Sequence, residues 1–139
     1  MVVCAWRDCD TAAMISGLDH INIRTSDLDR LCKFYVNVLG MEVGERPSFD
    51  APGAWIYAGG QAVLHVVVTN KPARGNTQPV DHFALNAHGR AAIEKRLQKA
   101  KIAYRVADVP GRAMKQIFVS DPDGVSVELN FTDAKDVSG

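Results

Sequence analysis

The chain has 139 residues, a length that fits one domain or two small halves packed as one. Apolar residues make up 47% of the sequence and charged residues 23%, which excludes a generally disordered protein. The 16 basic residues balance the 16 acidic ones, which excludes a protein that holds nucleic acid or an anionic membrane by bulk charge, and the apolar runs are too short to span a bilayer.

The N-terminal segment 1–16 shows no clear period and is predicted to be a tail, with Met14 as a candidate natural start. Arg7, Asp8 and Asp10 interrupt the apolar core that an export signal needs. The chain has three cysteines, two of them in the first ten residues, so neither a disulfide framework nor a zinc–thiolate site is expected. We predict free thiols in the reducing cytoplasm.

The segment 17–69 is predicted to form a first module. Alternation over 18–24 indicates a strand, and an N-cap among residues 25–27 is expected to begin a helix that starts at Leu28 and ends before Gly40, which suits a left-handed C-cap. Two glycines at 59–60 indicate a hairpin. Strands are predicted over 41–46, 54–58 and 61–68.

After a polar linker at 70–79, the same order of elements repeats in a second module, 80–131. The predicted elements are a strand at 80–86, a helix at 89–101 and strands at 102–106, 115–120 and 125–131, with a turn at 121–124. Residues 132–139 are polar and are predicted to be a frayed tail. The sequence therefore predicts an α+β domain over 17–131, built from two β-α-β-β-β modules.

Four of these strands carry a polar side chain in the middle of the face opposite the apolar one. His20 is matched 62 positions later by His82, and His65 is matched by Glu128. Because polar groups in a sheet are costly to bury unless they are paired, four matched positions predict a shared cleft. Three imidazoles and one carboxylate suit Zn²⁺, Ni²⁺, Co²⁺, Mn²⁺ or Fe²⁺, so we predict one divalent metal per site.

Further polar and aromatic side chains are expected to surround this set. Ligating imidazoles need oriented partners, and the candidates are Asn22, Asn86, Gln116, Ser126 and Asn130. Trp55 and Tyr57 share a strand face and are candidates either for a pocket wall or for the core. His88 has no counterpart in the repeat and is expected to be an ordinary satisfied or exposed histidine.

Several motifs resemble the vicinal oxygen chelate superfamily, which includes glyoxalase I, fosfomycin-resistance proteins and extradiol dioxygenases. They are LDHI at 18–21, FY at 34–35 with LGM at 39–41, VDHF at 80–83, and FVSDPDG at 118–124 followed by VEL at 127–129. The resemblance covers about residues 17–131 and is closest to glyoxalase-like proteins. It implies paired βαβββ modules that form an incomplete mixed β-barrel around one metal, a homodimer, and His20, His65, His82 and Glu128 as the ligands.

The resemblance also implies a reaction class: glyoxalase-like lyase or isomerase chemistry on a small substrate with two neighbouring oxygens, through an enediolate, with Glu128 as the candidate base. Arg24 stands four residues after the first histidine, where glyoxalase I has an arginine for glutathione, so glutathione is a candidate co-substrate. At the ligand position on the fourth strand, this chain has His65 where glyoxalase I usually has a glutamate. The alternatives are an Fe(II) dioxygenase and a metal-free, bleomycin-resistance-like binding protein. No nucleic acid or membrane partner is expected.

Overall fold

The computed structural model describes residues 17–48, 50–71 and 80–138. The predicted N-terminal tail, with Cys4 and Cys9, and most of the predicted linker lie outside these residues. The first module contains β1 (Ile21–Thr25), α1 (Leu28–Cys32), a π-helical segment (Lys33–Val38), β2 (Glu42–Gly44), β3 (Gly53–Ala58) and β4 (Gln61–Val68). The second contains β5 (Phe83–Asn86), α2 (Arg90–Lys99), β6 (Tyr104–Asp108), β7 (Lys115–Ser120) and β8 (Ser126–Phe131), and α3 (Ala134–Val137) follows.

The strands form two four-stranded mixed sheets with equivalent topologies, β1-β4-β3-β2 and β5-β8-β7-β6. In each sheet the first and last strands of the module pair in parallel, and the remaining neighbours pair antiparallel. The predicted repeat of two βαβββ modules in an α+β fold is confirmed. The two sheets are separate and do not close into a barrel within the described residues.

Local signals explain where the first helix begins and ends. The Asp27 carboxylate accepts a hydrogen bond of 3.0 Å from the Arg30 backbone N–H, which caps α1 as expected. Gly40 has a φ of +77°, a conformation that glycine adopts without strain, and it follows the helix directly. The sequence did not predict the π-helical segment between these signals, which buries the adjacent aromatic residues Phe34 and Tyr35.

One hydrophobic core serves both modules. The apolar faces of the two sheets pack against the helices, so that Leu64 and Val66 of β4 lie in the same cluster as Val127 and Leu129 of β8. The helices contribute further buried side chains to it, among them Leu31, Tyr35, Ile93 and Leu97. The opposite sheet faces, which carry the predicted site residues, point away from this core.

A buried polar network also joins the modules. The Tyr35 hydroxyl donates a hydrogen bond of 2.9 Å to Asp121, at the start of the turn between β7 and β8. Two residues on, Asp123 accepts hydrogen bonds of 2.8 Å from the Thr25 hydroxyl and from the Arg30 guanidinium. The turn at 121–124 therefore fixes the second module against the first helix.

The C-terminal segment is ordered by a contact with α2, so the prediction of a frayed tail at 132–139 was wrong. Asp136 is buried and accepts hydrogen bonds of 2.8 Å from the backbone N–H groups of Gly89 and Arg90. These are donors at the start of α2, where Gly89 offers no side-chain cap of its own. Asp136 therefore caps a helix distant in sequence, a contact that local polarity does not predict.

This cap makes stability depend on pH. Burial opposes the charge of Asp136, but the N–H groups of Arg90 and Gly89 outweigh it and hold its pKa below the usual range. A carboxyl with a depressed folded-state pKa stabilises the fold above its ordinary pKa of about 4 and loses that contribution as the pH falls further. We therefore expect Asp136→Asn to be less stable than the wild type in urea unfolding at pH 6, with the gap closing towards pH 3.

The control for this prediction is Asp108→Asn, which removes the carboxylate of an exposed ion pair with Lys115. Exposed ion pairs contribute little to the free energy of unfolding, so this variant should be about as stable as the wild type at both pH values. A constant gap for Asp136→Asn across the pH range would contradict the proposed role of its charge.

Candidate metal centre

The first module brings His20 and His65 together. Their ring centroids are 6.0 Å apart, and the planes are inclined at 67°. His65 lies in β4, but His20 lies just before β1, because the regular pairing begins at Ile21 rather than at residue 18 as predicted. The expected neighbourhood of the two imidazoles is therefore present, with one ligand candidate on a strand and the other on the segment that leads into the adjacent strand.

Trp55 and Asn22 hold this pair in place from the neighbouring strands. The Trp55 indole stacks on His65 with a centroid distance of 4.7 Å and an interplanar angle of 3°, and its edge contacts His20 at the same distance. Trp55 thus lies beside both imidazoles and outside the hydrophobic core cluster. Asn22 Nδ2 donates to His65 Nδ1 over 3.1 Å, and its predicted role as a partner of a ligating imidazole stays a prediction. Burial, together with the nearby His20 and Arg46, lowers the pKa of His65 and favours its neutral form.

The second module brings His82 and Glu128 together. His82 Nε2 lies 3.0 Å from Glu128 Oε2, and His82 itself lies just before β5, as His20 lies before β1. Gln116 donates hydrogen bonds from its amide to Glu128 Oε1 at 2.6 Å and to Asn130 Oδ1 at 3.0 Å. The Glu128 carboxylate is only 8% exposed and is held at both oxygens. Gln116 therefore holds the Glu128 carboxylate in place, and its role at a metal centre stays a prediction.

Two carboxylates act on the His82 ring. The hydrogen bond with Asp81, 2.7 Å from Nδ1, and the nearby charge of Glu128 together raise the pKa of His82. His82 and His65 are therefore shifted in opposite directions, because one imidazole faces carboxylates and the other is partly buried beside another imidazole. The two histidines differ in charge preference although they belong to one predicted ligand set.

The second module adds an aromatic ring and a cation that were not predicted as site residues, Phe118 and Arg105. Phe118 on β7 pairs in register with Glu128 on β8, just as Trp55 on β3 pairs with His65 on β4. The Arg105 guanidinium lies 4.2 Å from the centre of the Phe118 ring. The signal was available in the sequence, since Phe118 follows Trp55 at the same interval that separates His65 from Glu128.

Two other predicted site residues lie elsewhere. Arg24 donates a hydrogen bond of 3.2 Å from Nε to the Lys71 carbonyl. Asn86 lines a cavity of about 280 Å³ between the modules, which also contacts Met41, His88 and Leu129. Neither residue has a described contact with the histidines, so their predicted substrate-binding roles remain predictions.

The four predicted ligands form two pairs on two sheets. No cluster of three or more His, Cys, Asp or Glu able to hold a metal occurs within 17–48, 50–71 and 80–138. The chemistry of the donors nevertheless fits a divalent metal: each pair offers nitrogen or oxygen atoms, and each is braced by a partner amide or an aromatic ring. We refer to His20 with His65 as half-site A and to His82 with Glu128 as half-site B.

No helix among the described residues is long and apolar enough to cross a membrane. Two curated relatives match most of the chain. It is 26% identical to Glyoxylase I 4 of Arabidopsis thaliana over 130 residues, which covers 88% of this chain and 74% of the relative. It is 30% identical to the lactoylglutathione lyase of Salmonella typhimurium over 128 residues, covering 84% of this chain and 92% of the relative.

A solved structure shares the fold. The crystal structure of a glyoxalase family protein from Bacillus anthracis aligns with a TM-score of 0.69 at 23% identity, covering 88% of this chain and all of that one. A sequence model of the Glyoxalase/Bleomycin resistance protein/Dioxygenase superfamily matches residues 17–129, which include all but the last two residues of the paired modules and all four predicted ligands. With its paired βαβββ modules and this match, the chain belongs to the glyoxalase/bleomycin resistance/dioxygenase superfamily.

Proposed function

We propose that this protein is a divalent-metal-dependent lyase or isomerase of the glyoxalase kind, acting on a small substrate with two neighbouring oxygens. The observation that carries the proposal is the pair of half-sites: each module supplies two nitrogen or oxygen ligands at equivalent positions of equivalent sheets. The similarity to lactoylglutathione lyase supports a thiohemiacetal of a 2-oxo aldehyde as the substrate class and glutathione as the thiol.

A homodimer would complete the site. Half-site A of one chain would face half-site B of a second copy, giving four ligands for each metal and two sites per dimer. The surface beside each half-site suits such an interface: Leu18, next to His20, is 78% exposed, and Val80, near His82, is 71% exposed. Large exposed apolar side chains at equivalent places of a pseudo-symmetric surface favour contact with another copy of that surface.

The residues around the proposed centre have distinct chemical roles. When bound, the metal would supply a Lewis acid that stabilises negative charge on the substrate oxygens. Glu128 Oε2 would accept the proton next to the substrate carbonyl, and Gln116 keeps the carboxylate aimed through its bond to Oε1. His20, His65 and His82 would hold the metal together with Glu128, and Trp55 and Phe118 flank the two half-sites.

Subunit mixing tests the dimeric site. His65→Ala removes half-site A and His82→Ala removes half-site B, so each variant alone should be inactive. Mixed under subunit exchange, they should form heterodimers with one intact site, and turnover of the methylglyoxal–glutathione thiohemiacetal should return to about a quarter of the wild-type level.

The matched control is a mixture of His20→Ala with His65→Ala, which leaves no intact half-site A and should stay inactive. If the first mixture also stays inactive while the wild type is active, the four ligands do not come together across two subunits.

The metal content of wild-type protein, purified anaerobically without an affinity tag, tests the reaction class. Near-stoichiometric nickel, cobalt, zinc or manganese would support the lyase or isomerase. Iron would favour the dioxygenase instead, and the absence of any metal, with none bound on titration, would favour a ligand-binding protein.

A further inference from the structure

An aspartate immediately precedes the first histidine of each half-site and bonds to its ring. Asp19 Oδ1 lies 2.6 Å from His20 Nδ1, and Asp81 Oδ2 lies 2.7 Å from His82 Nδ1. The two pairs stand at equivalent places, one before β1 and one before β5. The same nitrogen of each ring is engaged in both modules, although the sheets around them differ in sequence.

The identity of the engaged nitrogen decides which nitrogen remains for a metal. A carboxylate accepts hydrogen bonds and does not donate them, so each aspartate requires a proton on Nδ1 of its histidine. In a neutral imidazole the other nitrogen, Nε2, then carries the lone pair that a metal binds. Without the aspartate, the proton has no reason to stay on Nδ1.

The His82 ring has a carboxylate at each nitrogen, so in the metal-free protein Nε2 also carries a proton, which a bound metal would displace. Its Nε2 lies 3.0 Å from Glu128 Oε2, so the nitrogen opposite Asp81 is the one beside the other ligand candidate of half-site B. His65 is held differently, by the Asn22 amide at Nδ1 and by stacking on Trp55. Within the two half-sites, the aspartate contact at Nδ1 thus recurs at the two equivalent histidines, His20 and His82.

We propose that Asp19 and Asp81 are positioning residues that hold His20 and His82 in the Nδ1–H tautomer and so present Nε2 of each ring to the metal. The inference rests on the proposed function, because it assigns a role at the same metal centre. Partners of this kind orient ligating imidazoles, and their loss typically weakens metal binding about 10- to 100-fold.

The first test is Co²⁺ titration of the metal-free protein. Asp19→Ala and Asp81→Ala should each raise the Kd for Co²⁺ about 10- to 100-fold. Asp19→Asn and Asp81→Asn should lose less affinity, because the amide oxygen still accepts from Nδ1–H. The chain offers a matched control in Asp133, which lies 2.9 Å from Nδ1 of His88, outside both half-sites. Asp133→Ala should bind Co²⁺ like the wild type.

The second test reads the tautomer directly and needs no metal. Long-range ¹H–¹⁵N NMR spectra at a pH where the histidines are neutral should show His20 protonated on Nδ1 in the wild type and on Nε2 in Asp19→Ala. His65 should not change between the two proteins, since its partner Asn22 is intact.

The outcomes separate this inference from the function on which it rests. If the wild type binds Co²⁺ and both alanine variants bind it equally well, the positioning role is overturned and the proposed metal centre stands. The role is also overturned if His20 keeps its Nδ1 proton in Asp19→Ala. If the wild type itself does not bind Co²⁺, the proposed function fails and takes the inference with it.

Discussion

Replacing Glu128 by Gln is expected to abolish turnover, with a loss of at least about 100-fold in kcat. The substitution keeps the size and planarity of the side chain but removes its charge and its ability to accept a proton. It also places an amide group where the carboxylate now has two contacts. Gln116 donates a hydrogen bond of 2.6 Å to Oε1, and His82 Nε2 lies 3.0 Å from Oε2. The measurement is steady-state turnover of the thiohemiacetal, with metal content determined on the same samples.

Metal content distinguishes two ways in which activity can be lost. If Glu128→Gln still binds metal, the missing step is proton transfer. If it binds none, the carboxylate is needed chiefly as a ligand, which is also consistent with the proposed centre. Cys32→Ala is the control: Cys32 is a free thiol on α1, burial raises its pKa, and it contacts neither half-site. Normal turnover in Glu128→Gln would refute the proposed site.

Replacing Asp121 by Ala is expected to destabilise the fold by about 3 kcal/mol and to lower Tm by about 10 °C. Its buried carboxylate accepts three hydrogen bonds of 2.9 Å, from the Tyr35 hydroxyl and from the backbone N–H groups of Asp123 and Val125. Alanine leaves all three donors without this partner, and the Tyr35 hydroxyl among them belongs to a fully buried side chain. Urea unfolding and thermal unfolding followed by circular dichroism measure the effect.

Graded substitutions test whether the hydrogen bonds are responsible. Tyr35→Phe removes one donor and leaves the turn intact, so it should cost about 1 kcal/mol. Burial raises the pKa of Asp121, so a neutral acceptor is tolerated there, and Asp121→Asn should be milder than Asp121→Ala. If Asp121→Ala unfolds within about 0.5 kcal/mol of the wild type, the network does not hold the modules together.

The sequence was sufficient for elements whose local pattern and tertiary environment agree. The bounds of β4 and β7 are as predicted, because each has one apolar face on the core and turn residues at its ends. The starts of β1 and β5 were placed too early, because alternation continues through Leu18 and Val80, which the structure leaves exposed before the ladders begin.

Other elements depend on contacts that are distant in sequence. α3 has only four residues and is held by the hydrogen bonds between Asp136 and the start of α2. A helix this short shows no hydrophobic periodicity from which it could be predicted. The π-helical segment buries two adjacent aromatic residues, Phe34 and Tyr35, in the shared core, and no local signal in the sequence predicted it. The sequence also predicted that the four candidate ligands share one cleft, whereas within the described residues they lie in two pairs, His20 with His65 and His82 with Glu128. Strand parity cannot say which two sheets face each other, so the division into half-sites was not predicted.

The position of the core has a consequence for the evolution of this scaffold. The buried residues that stabilise the fold lie on the helix-facing side of both sheets, while His20 and His82 are exposed on the other side. Substitutions at these two positions leave no cavity in the core, so they are expected to change the free energy of unfolding little and to be selected mainly for their effect on function. A lineage with this architecture can exchange one ligand set for another, or lose it, without passing through unfolded intermediates.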